Sequence, residues 1–295
     1  IAGFLVSVGL PLMVTWFGGG DVAKGYQYGV TVLCGIGMVM FLLCFLWVKE
    51  RVPLSVVGQF TIRQHLAGLR KNDQLILMLL MSFLLVNILC IRGGGYMYFI
   101  SYVLQGSSIY MSVFFGMATL ASILGAVVIN KLSRHVDMVR LYYMTNLVLA
   151  VFGICMWFLP SGPNYKMLWL AVIFINNMVL GFTLPLHFSI MAFADDYGEW
   201  KNSVRSSGMN FAFNLFCIKL SWASSGALIT LVLFLVAYRP GIGNQTEASI
   251  HGITMLQSFI PAIFHLLLAL SLRWCRLNNS MMTRISGELR QRHTQ

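Results

Sequence analysis

The amino-acid sequence predicts an all-α membrane protein that crosses the bilayer several times. Of the 295 residues, 58% are hydrophobic and only 10% are charged, and the mean hydropathy is +0.77. A soluble domain carries about 25% charged residues, so most of the surface of this chain cannot face water. Its apolar runs indicate helices, because strands of a membrane barrel would be about 10 residues long with alternating polarity. The composition excludes a soluble enzyme and a disulfide-stabilised secreted module.

Eight apolar runs are long enough to cross the hydrocarbon core as helices, which takes about 20 residues. The predicted membrane helices occupy residues 1–19, 28–48, 74–104, 109–130, 138–159, 166–191, 208–237 and 253–273. Two of these runs contain residues that favour a break. The third contains the glycines at 93–95, and the sixth contains Pro185, followed by His187. We therefore expect broken helices at these two places.

Basic residues are distributed unevenly between the two sets of joints. Fifteen Lys and Arg residues lie in one set and three in the other. Because lysine and arginine concentrate in cytoplasmic loops, both chain ends are predicted to be cytoplasmic. The net charge of +11 then reflects topology, and we expect no nucleic-acid partner. We expect a monomer in the lipid bilayer of the inner (plasma) membrane.

The longest cytoplasmic joint, 49–73, divides the chain. We expect residues 1–48 to be the last two helices of an incomplete N-terminal bundle. Residues 74–273 would form a six-helix C-terminal bundle, followed by a cytoplasmic tail at 274–295. Six helices after a long linker are one half of a six-plus-six transporter, so four more helices are expected upstream. A complete eight-helix protein is the alternative.

The linker itself has an amphipathic pattern. Ile62, Leu66 and Leu69 recur at helical spacing, with basic residues between them. This predicts a short helix that lies on the membrane surface.

Two cations, Arg92 and Lys219, lie far from either end of a predicted membrane helix. A charged side chain at the bilayer centre costs about 2.5–3.5 kcal/mol on insertion scales. No acidic residue of the chain falls at this depth. The counter-charge must come from upstream helices or an anionic solute, unless backbone carbonyls and water suffice. We therefore predict that both residues belong to a substrate site.

Other polar side chains at similar depth could contribute to the substrate site. They are Tyr96, Tyr98, Asn176, Asn177 and Asn214. Hydrogen bonding between helices is the alternative for the asparagines, and an interfacial belt is the alternative for the tyrosines. Asn210 and Asn214 share a helix face, whereas Lys219 lies about 140° round from Asn214, so the three cannot line one narrow cavity.

A charged joint follows the sixth helix. It contains Asp195, Asp196, Glu199, Lys201 and Arg205. These charges could pair with cytoplasmic residues such as Arg134 and exchange partners as a gate; a solvated loop is the alternative. The three carboxylates could also hold a metal, but no histidine is close in sequence, and no Cys or His set has metal spacing. We expect no metal site.

One motif resembles a known family. The string Asp196-Tyr197-Gly198-Glu199-Trp200-Lys201, with Val204-Arg205 and then Lys219 in the next helix, resembles the glycoside–pentoside–hexuronide:cation symporters, a melibiose permease-like family. The segment from Tyr96 to Val103 resembles the seventh helix of that family. The resemblance covers the whole chain. It implies a major facilitator-type helix bundle in which this chain supplies helices five to twelve of twelve.

The resemblance implies a secondary active transporter of a sugar or sugar-derived acid, coupled to Na⁺ or H⁺ by alternating access. The main cation ligands of the family lie on its first four helices, outside this chain, and no cofactor is expected. Lys219 matches the family's lysine near the cation site. Arg92 is an extra cation, which points to an anionic solute, as in the sulfoquinovose and dihydroxypropanesulfonate branch. A chain without four helices should be inactive alone.

Two other functions are possible for a chain of this kind: an intramembrane enzyme and a non-transporting sensor. The enzyme would need a catalytic cluster near the membrane. The sequence offers neither a histidine pair at helical spacing nor a nucleophile beside a base. We therefore expect that the protein is not an enzyme.

Overall fold

The computed structural model describes residues 2–49, 68–202 and 207–294. These ranges are helical and contain no β-strand. Within them, seven helical segments are long and apolar enough to cross a membrane. The prediction of an all-helical, multi-pass membrane protein is confirmed. The first predicted run forms a shorter apolar helix.

The chain folds into two compact units. The first comprises Ile1–Gln59 and Gly106–Leu120, and the second comprises Phe60–Gln105 and Ala121–Gln295. In the first unit, helix α1 (Ala2–Gly18) packs against α2 (Val22–Trp47). The backbones approach so closely that a Cβ at Gly25 would lie 2.3 Å from the carbonyl oxygen of Val14. Glycine at this position makes the crossing possible.

Helix α2 begins six residues before the predicted start at 28. The carboxylate of Asp21 accepts hydrogen bonds from the backbone N–H groups of Ala23 and Lys24, at 3.0 and 3.2 Å. This N-cap satisfies donors that have no partner within the helix. The polar residues at the start of α2 are therefore helical rather than part of a loop.

The second unit contains the remaining helices. They are α3 (Asp73–Tyr98), α4 (Ser108–Leu132), α5 (Met138–Trp157), α6 (Lys166–Leu180), α7 (Thr183–Asn202), α8 (Ser207–Leu235), α9 (Glu247–Gln257), α10 (Phe259–Leu272) and α11 (Asn279–Thr294). Only the part of α4 from Ala121 onward belongs to this unit. Helix α3 is central, because it packs against α7, α8, α9 and α10. Residues that project from α3 therefore meet side chains from four other helices.

The predicted break at the glycines of the third run is wrong. Helix α3 is continuous through 93–95, and it passes into a π-helical turn only at Phe99–Val103. A Cβ at Gly95 would lie 2.6 Å from the side-chain nitrogen of Gln257. This glycine allows α9 to approach rather than breaking α3.

The sixth and eighth runs are each divided into two helices. Helix α6 ends at Leu180 and α7 begins at Thr183, so the first break precedes Pro185. Ser258, with φ −119° and ψ −86°, separates α9 from α10 ahead of Pro261. Proline has no N–H and is tolerated in the first turn of a helix, which explains both positions. The second break was not predicted.

The charged joint after the sixth run is not a loop. Helix α7 extends to Asn202, so Asp195 to Lys201 lie on its last two turns. The predicted tail also contains a helix, α11, which packs against α7. One face of α11 joins the buried core through Met282, Ile285 and Leu289. Most of the predicted linker helix, residues 50–67, lies outside the described residues; Leu69 packs against the core.

Candidate functional site

Arg92 is buried in the middle of α3, with only 2% of its surface exposed. Its Nη2 lies 3.4 Å from the hydroxyl of Tyr96, one turn further along the same helix. Its Nε has no hydrogen-bond partner among the described residues. The ion pairs found in the described ranges join other residues, so no carboxylate there neutralises this guanidinium. A buried cation without an acidic partner is costly in a membrane, which makes Arg92 a candidate functional residue.

Tyr96 links Arg92 to helix α6. Its hydroxyl accepts a hydrogen bond from the side-chain amide of Asn177 at 3.1 Å. Asn177 also donates to the carbonyl of Ile173, which fixes the orientation of its amide. The structure therefore brings together three of the predicted substrate-site residues.

Two more buried groups complete the site. Gln257, at the end of α9, donates from Nε2 to the backbone carbonyl of Arg92 at 3.0 Å, and its Oε1 has no partner within the described part of the chain. His265, on α10, bonds through Nδ1 to the side-chain oxygen of Asn146 at 2.8 Å. Its Nε2 likewise lacks a partner there, and the ring lies within electrostatic reach of Arg92.

These side chains form the Arg92 cluster, which consists of Arg92, Tyr96, Asn177, Gln257 and His265. Buried polar atoms in native proteins almost always have a partner, so unsatisfied atoms need an explanation. The unused groups are a guanidinium N–H donor, an amide oxygen acceptor and an imidazole nitrogen. Sugar hydroxyls both donate and accept, and a guanidinium pairs with carboxylate or sulfonate oxygens. The donors and acceptors of the cluster therefore match those of an oxygen-rich solute.

Gln257 and His265 were not among the predicted site residues. The sequence does contain a feature that could have identified Gln257. This residue lies four positions before Pro261 in a largely apolar run. Proline predicts a helix start nearby, and a polar residue just before such a break meets free backbone groups.

Asn214 belongs to a different polar network, in which every member has a partner. Ser82 Oγ lies within hydrogen-bond distance of Asn214 Oδ1 and of His187 Nε2, and Tyr142 OH lies 3.4 Å from His187 Nδ1. One consistent arrangement has Tyr142 donating to His187, His187 to Ser82, and Ser82 to Asn214. We call these four residues the Ser82 network. It joins α3, α5, α7 and α8. Asn214 therefore takes part in hydrogen bonding between helices, which was the alternative to a substrate role.

The remaining predicted substrate residues lie apart from these groups. Tyr98 packs edge-on against Tyr238, with ring centroids 5.5 Å apart. Asn176 is buried, and neither atom of its amide finds a partner in the described ranges. Lys219 is exposed, and its Nζ lies 4.0 Å from the ring centroid of Trp222. Lys219 and Asn214 point to different faces of α8, as their spacing predicted.

The predicted gate residues on α7 lie near its C-terminal end. Lys201 forms an ion pair with Asp73 at 2.6 Å, and Tyr197 donates to the same carboxylate at 3.1 Å. Asp195 accepts from the amide of Asn210 at 2.6 Å. Asp196 and Glu199 are half-buried on α7. The charge pairing across helices therefore runs from α7 to the start of α3.

The predicted pairing of Arg134 has no counterpart among the described residues. Arg134 is exposed and forms no ion pair with any described residue. Arg205 lies outside the described residues. In the described ranges, no three His, Cys, Asp or Glu side chains are grouped to hold a metal ion.

Helix α11 is fixed to α7 at the same end. Trp200 donates its indole N–H to the carboxylate of Glu288, which also binds Arg284 at 2.8 Å. Arg292 donates to the backbone carbonyl of Trp200 at 3.0 Å. The hydrogen bond from Trp200, and then that from Arg284, hold the pKa of Glu288 below its ordinary value. The carboxylate is therefore ionised at neutral pH.

Residues 1–279 match the family model described as MFS/sugar transport protein. The chain is 30% identical over 91% of its length to "Inner membrane symporter YicJ" of Escherichia coli, and covers 57% of that protein. It is 26% identical to the "Isoprimeverose transporter" of Lactiplantibacillus pentosus, over all of this chain and 61% of that one. It is 25% identical to the "Putative sulfoquinovose importer" of E. coli, over 92% of this chain and 58% of that one.

The chain thus spans about six-tenths of the length of these curated relatives. The match extends from α1 into the loop before α11, so it includes both the Arg92 cluster and the charged end of α7. These matches confirm the resemblance to glycoside and cation symporters, including the sulfoquinovose branch. The chain belongs to the MFS/sugar transport protein family of multi-pass membrane transporters.

Proposed function

We propose that the chain is part of a secondary active transporter, with no enzymatic activity, for a sugar or sugar-derived acid coupled to Na⁺ or H⁺. The observation that carries the proposal is the Arg92 cluster, where Nε of the buried cation and two other buried polar atoms lack partners among the described residues. Relatives that match 91–100% of the chain bear the names of a symporter, an isoprimeverose transporter and a putative sulfoquinovose importer. Both lines of support concern small oxygen-rich solutes.

Arg92 favours an anionic solute in this proposal. A guanidinium held away from water and from carboxylates attracts an anion strongly, because little competes with it. The adjacent acceptors on Gln257 and His265 would receive hydroxyl protons of the same molecule. A neutral sugar would use the acceptors and leave the guanidinium unpaired.

The exposed face of α8 supports a role for Lys219 near the coupling cation. Lys219 lies about 18 Å along α8 from Ser207, by the rise of an α-helix, and is too deep to reach either interface easily. A lysine at this depth should face protein or water rather than lipid. We propose that this face of α8 meets the helices that carry the cation ligands.

We propose that the chain supplies the last eight of twelve helices, because it covers about six-tenths of its relatives. Both ends would be cytoplasmic, in the inner membrane of the cell, and the protein would be a monomer. The ion pair of Asp73 and Lys201 would be part of the cytoplasmic gate, opening and closing as the two bundles rock around the solute. The chain alone would then not transport.

The decisive test is uptake by proteoliposomes that contain the protein together with its upstream helices. Labelled sulfonated or uronic sugars and matched neutral glycosides would be offered under an imposed Na⁺ or proton gradient. Arg92→Gln should lower kcat/KM for the anionic sugar by at least about 30-fold, since losing one partner of a buried charge pair costs about 2 kcal/mol or more. Uptake of the neutral glycoside should change by only a few-fold.

Arg239→Gln is the matched control, because it removes an exposed cation after α8. It should leave both substrates unaffected. Unchanged affinity of Arg92→Gln for every anionic sugar would contradict the anionic substrate. Transport by the 295-residue chain alone at the full-length rate would contradict the requirement for upstream helices. No gradient-driven uptake of either sugar class would contradict the function itself.

A further inference from the structure

A groove of about 430 Å³ lies at the charged end of the second unit, and its lining includes no residue of the Arg92 cluster. It is formed where α10 ends and α3 begins. Its lining consists of Asp73, Gln74, Ile76, Leu77, Leu80, Arg273, Trp274 and Arg276. The proposed transport function assigns no role to it.

The polar part of the groove is positively charged. Arg273 and Arg276 are exposed, and neither forms an ion pair with a carboxylate in the described part of the chain. Asp73 also lines the groove, but Lys201, Tyr197 and Gln74 all bind its carboxylate. The two guanidiniums therefore remain available for an anion.

The geometry of the arginine segment is fixed by the protein. Gln74 is 3% exposed, and its side-chain oxygen accepts the backbone N–H of Arg276 at 2.8 Å. The buried core holds the neighbouring Leu272 and Leu277. The loop between α10 and α11 is thus attached to α3, and the guanidiniums project from a defined backbone.

The other part of the groove is apolar and open. Ile76 and Leu80 lie one turn apart on the same face of α3, with exposures of 47% and 48%. This face runs from the arginines toward the middle of the apolar helix. Trp274, 68% exposed, lies beside them at the helix end, where tryptophan is enriched in membrane proteins. The groove is cationic at the interface and apolar toward the hydrocarbon.

We propose that this groove binds an anionic phospholipid. The phosphate would lie between Arg273 and Arg276, and an acyl chain would follow Ile76 and Leu80. Basic pockets between membrane helices at the cytoplasmic surface bind acidic headgroups, and each basic residue near the surface contributes about 1 kcal/mol. A free phosphate would satisfy the arginines but would gain nothing from the apolar wall, which is why the lipid is the better occupant.

The test is native mass spectrometry of the purified 295-residue chain in detergent. Dioleoyl phosphatidylglycerol is the probe, with dioleoyl phosphatidylcholine as the headgroup control and inorganic phosphate as a competitor. Replacing both arginines, Arg273→Gln with Arg276→Gln, should weaken phosphatidylglycerol binding by about 30-fold. The matched control, Lys131→Gln with Arg134→Gln, removes two exposed cations at the end of α4 and should leave binding unchanged.

A second variant tests the apolar half without touching the arginines. Ile76→Ser with Leu80→Ser should weaken phosphatidylglycerol binding several-fold, and inorganic phosphate should not displace the lipid. The proposal would be overturned if the Arg273→Gln, Arg276→Gln variant and the Lys131→Gln, Arg134→Gln control lost phosphatidylglycerol binding equally. Equal losses would indicate general electrostatic attraction. Equal affinity for phosphatidylcholine, displacement by phosphate, or no effect of the serine variant would also overturn it.

Discussion

The Arg92 cluster and the Ser82 network lie in the same unit and share α3, yet they differ in how their polar groups are satisfied. The Ser82 network contains no permanent charge, and its four side chains bind one another across four helices. The Arg92 cluster holds a full charge and three unused polar atoms. The first arrangement stabilises helix packing, whereas the second holds unpaired groups in position. The candidate binding groups are thus those that the described part of the fold leaves without hydrogen bonds.

The end of the second unit near Asp73 provides a third case. Four of the charges there are paired within the chain, Lys201 with Asp73 and Arg284 with Glu288. These pairs lie near water, where both partners remain partly solvated. Exchanging such pairs costs little free energy, which suits elements that move during alternating access.

The largest change in stability is expected in the Ser82 network, and it distinguishes this network from the Arg92 cluster. Ser82→Ala removes the only bridge between His187 and Asn214 and leaves both with unsatisfied polar atoms. We expect a loss of about 1–3 kcal/mol in the free energy of unfolding. Titration with sodium dodecyl sulfate, followed by circular dichroism, measures this quantity.

Arg92→Met is the matched comparison in the other region. It replaces a buried cation that has no carboxylate partner with an apolar side chain of similar length, so stability should stay equal or increase. A loss of stability as large as that of Ser82→Ala would show that Arg92 is satisfied within the fold. The distinction between the two regions would then disappear.

A smaller effect is expected for the ion pair at the helix ends. In Asp73→Asn the charge that pairs with Lys201 is lost, although the hydrogen bond from Tyr197 can remain. The side chains of Asp73 and Lys201 are 47% and 38% exposed, so solvent screens the pair and the loss should be about 1 kcal/mol or less. The same titration at low and high salt measures it.

Salt dependence is the informative part of that experiment. The difference between Asp73→Asn and the wild type should shrink at high ionic strength, because salt screens exposed charges. Glu247→Gln serves as the control, since it neutralises an acid at the start of α9 outside this network. A loss that stays constant with salt would indicate a packing role for Asp73.

The sequence predicted the parts of the fold that depend on composition. Seven of the eight predicted runs form helices of membrane length, and the spacing of Asn214 and Lys219 placed them on different faces of α8. Exact helix ends could not be predicted from hydropathy, because they depend on local caps and prolines. Asp21 extends α2 into a polar segment, and Pro261 divides an apolar run without changing its hydropathy.

The candidate site was only partly predictable for a related reason. A charge such as Arg92 stands out in an apolar run because burying it is costly. Gln257 and His265 join the candidate site only because the packing of three helices brings them near Arg92. Sequence spacing carries no information on this packing. The partner of Lys201 could not be predicted either, since 128 residues separate it from Asp73.

The smallest effect concerns the attachment of α11 to α7 and its dependence on pH. Hydrogen bonds from Trp200 and Arg284 lower the pKa of Glu288 from its ordinary value of 4.5. A carboxyl group whose pKa is lower in the folded state stabilises the fold. This contribution is fully present when the pH is above the pKa of the unfolded state. This contribution is lost as the pH falls through the lower, folded value. Trp200 should therefore keep its contact at neutral pH and lose it only below pH 4.5.

Trp200 fluorescence between pH 7 and pH 3 measures this release, as the difference between the wild type and Trp200→Phe. Glu288→Gln is the matched control, because its amide keeps the shape of the carboxyl group and does not titrate in this range. The wild type should show a transition below pH 4.5 that Glu288→Gln lacks, and global stability should change little, since Glu288 is at the surface. A fluorescence transition of equal size in the wild type and in Glu288→Gln would show that another acid titrates. The contact between Trp200 and Glu288 would then not be what fixes α11 to α7.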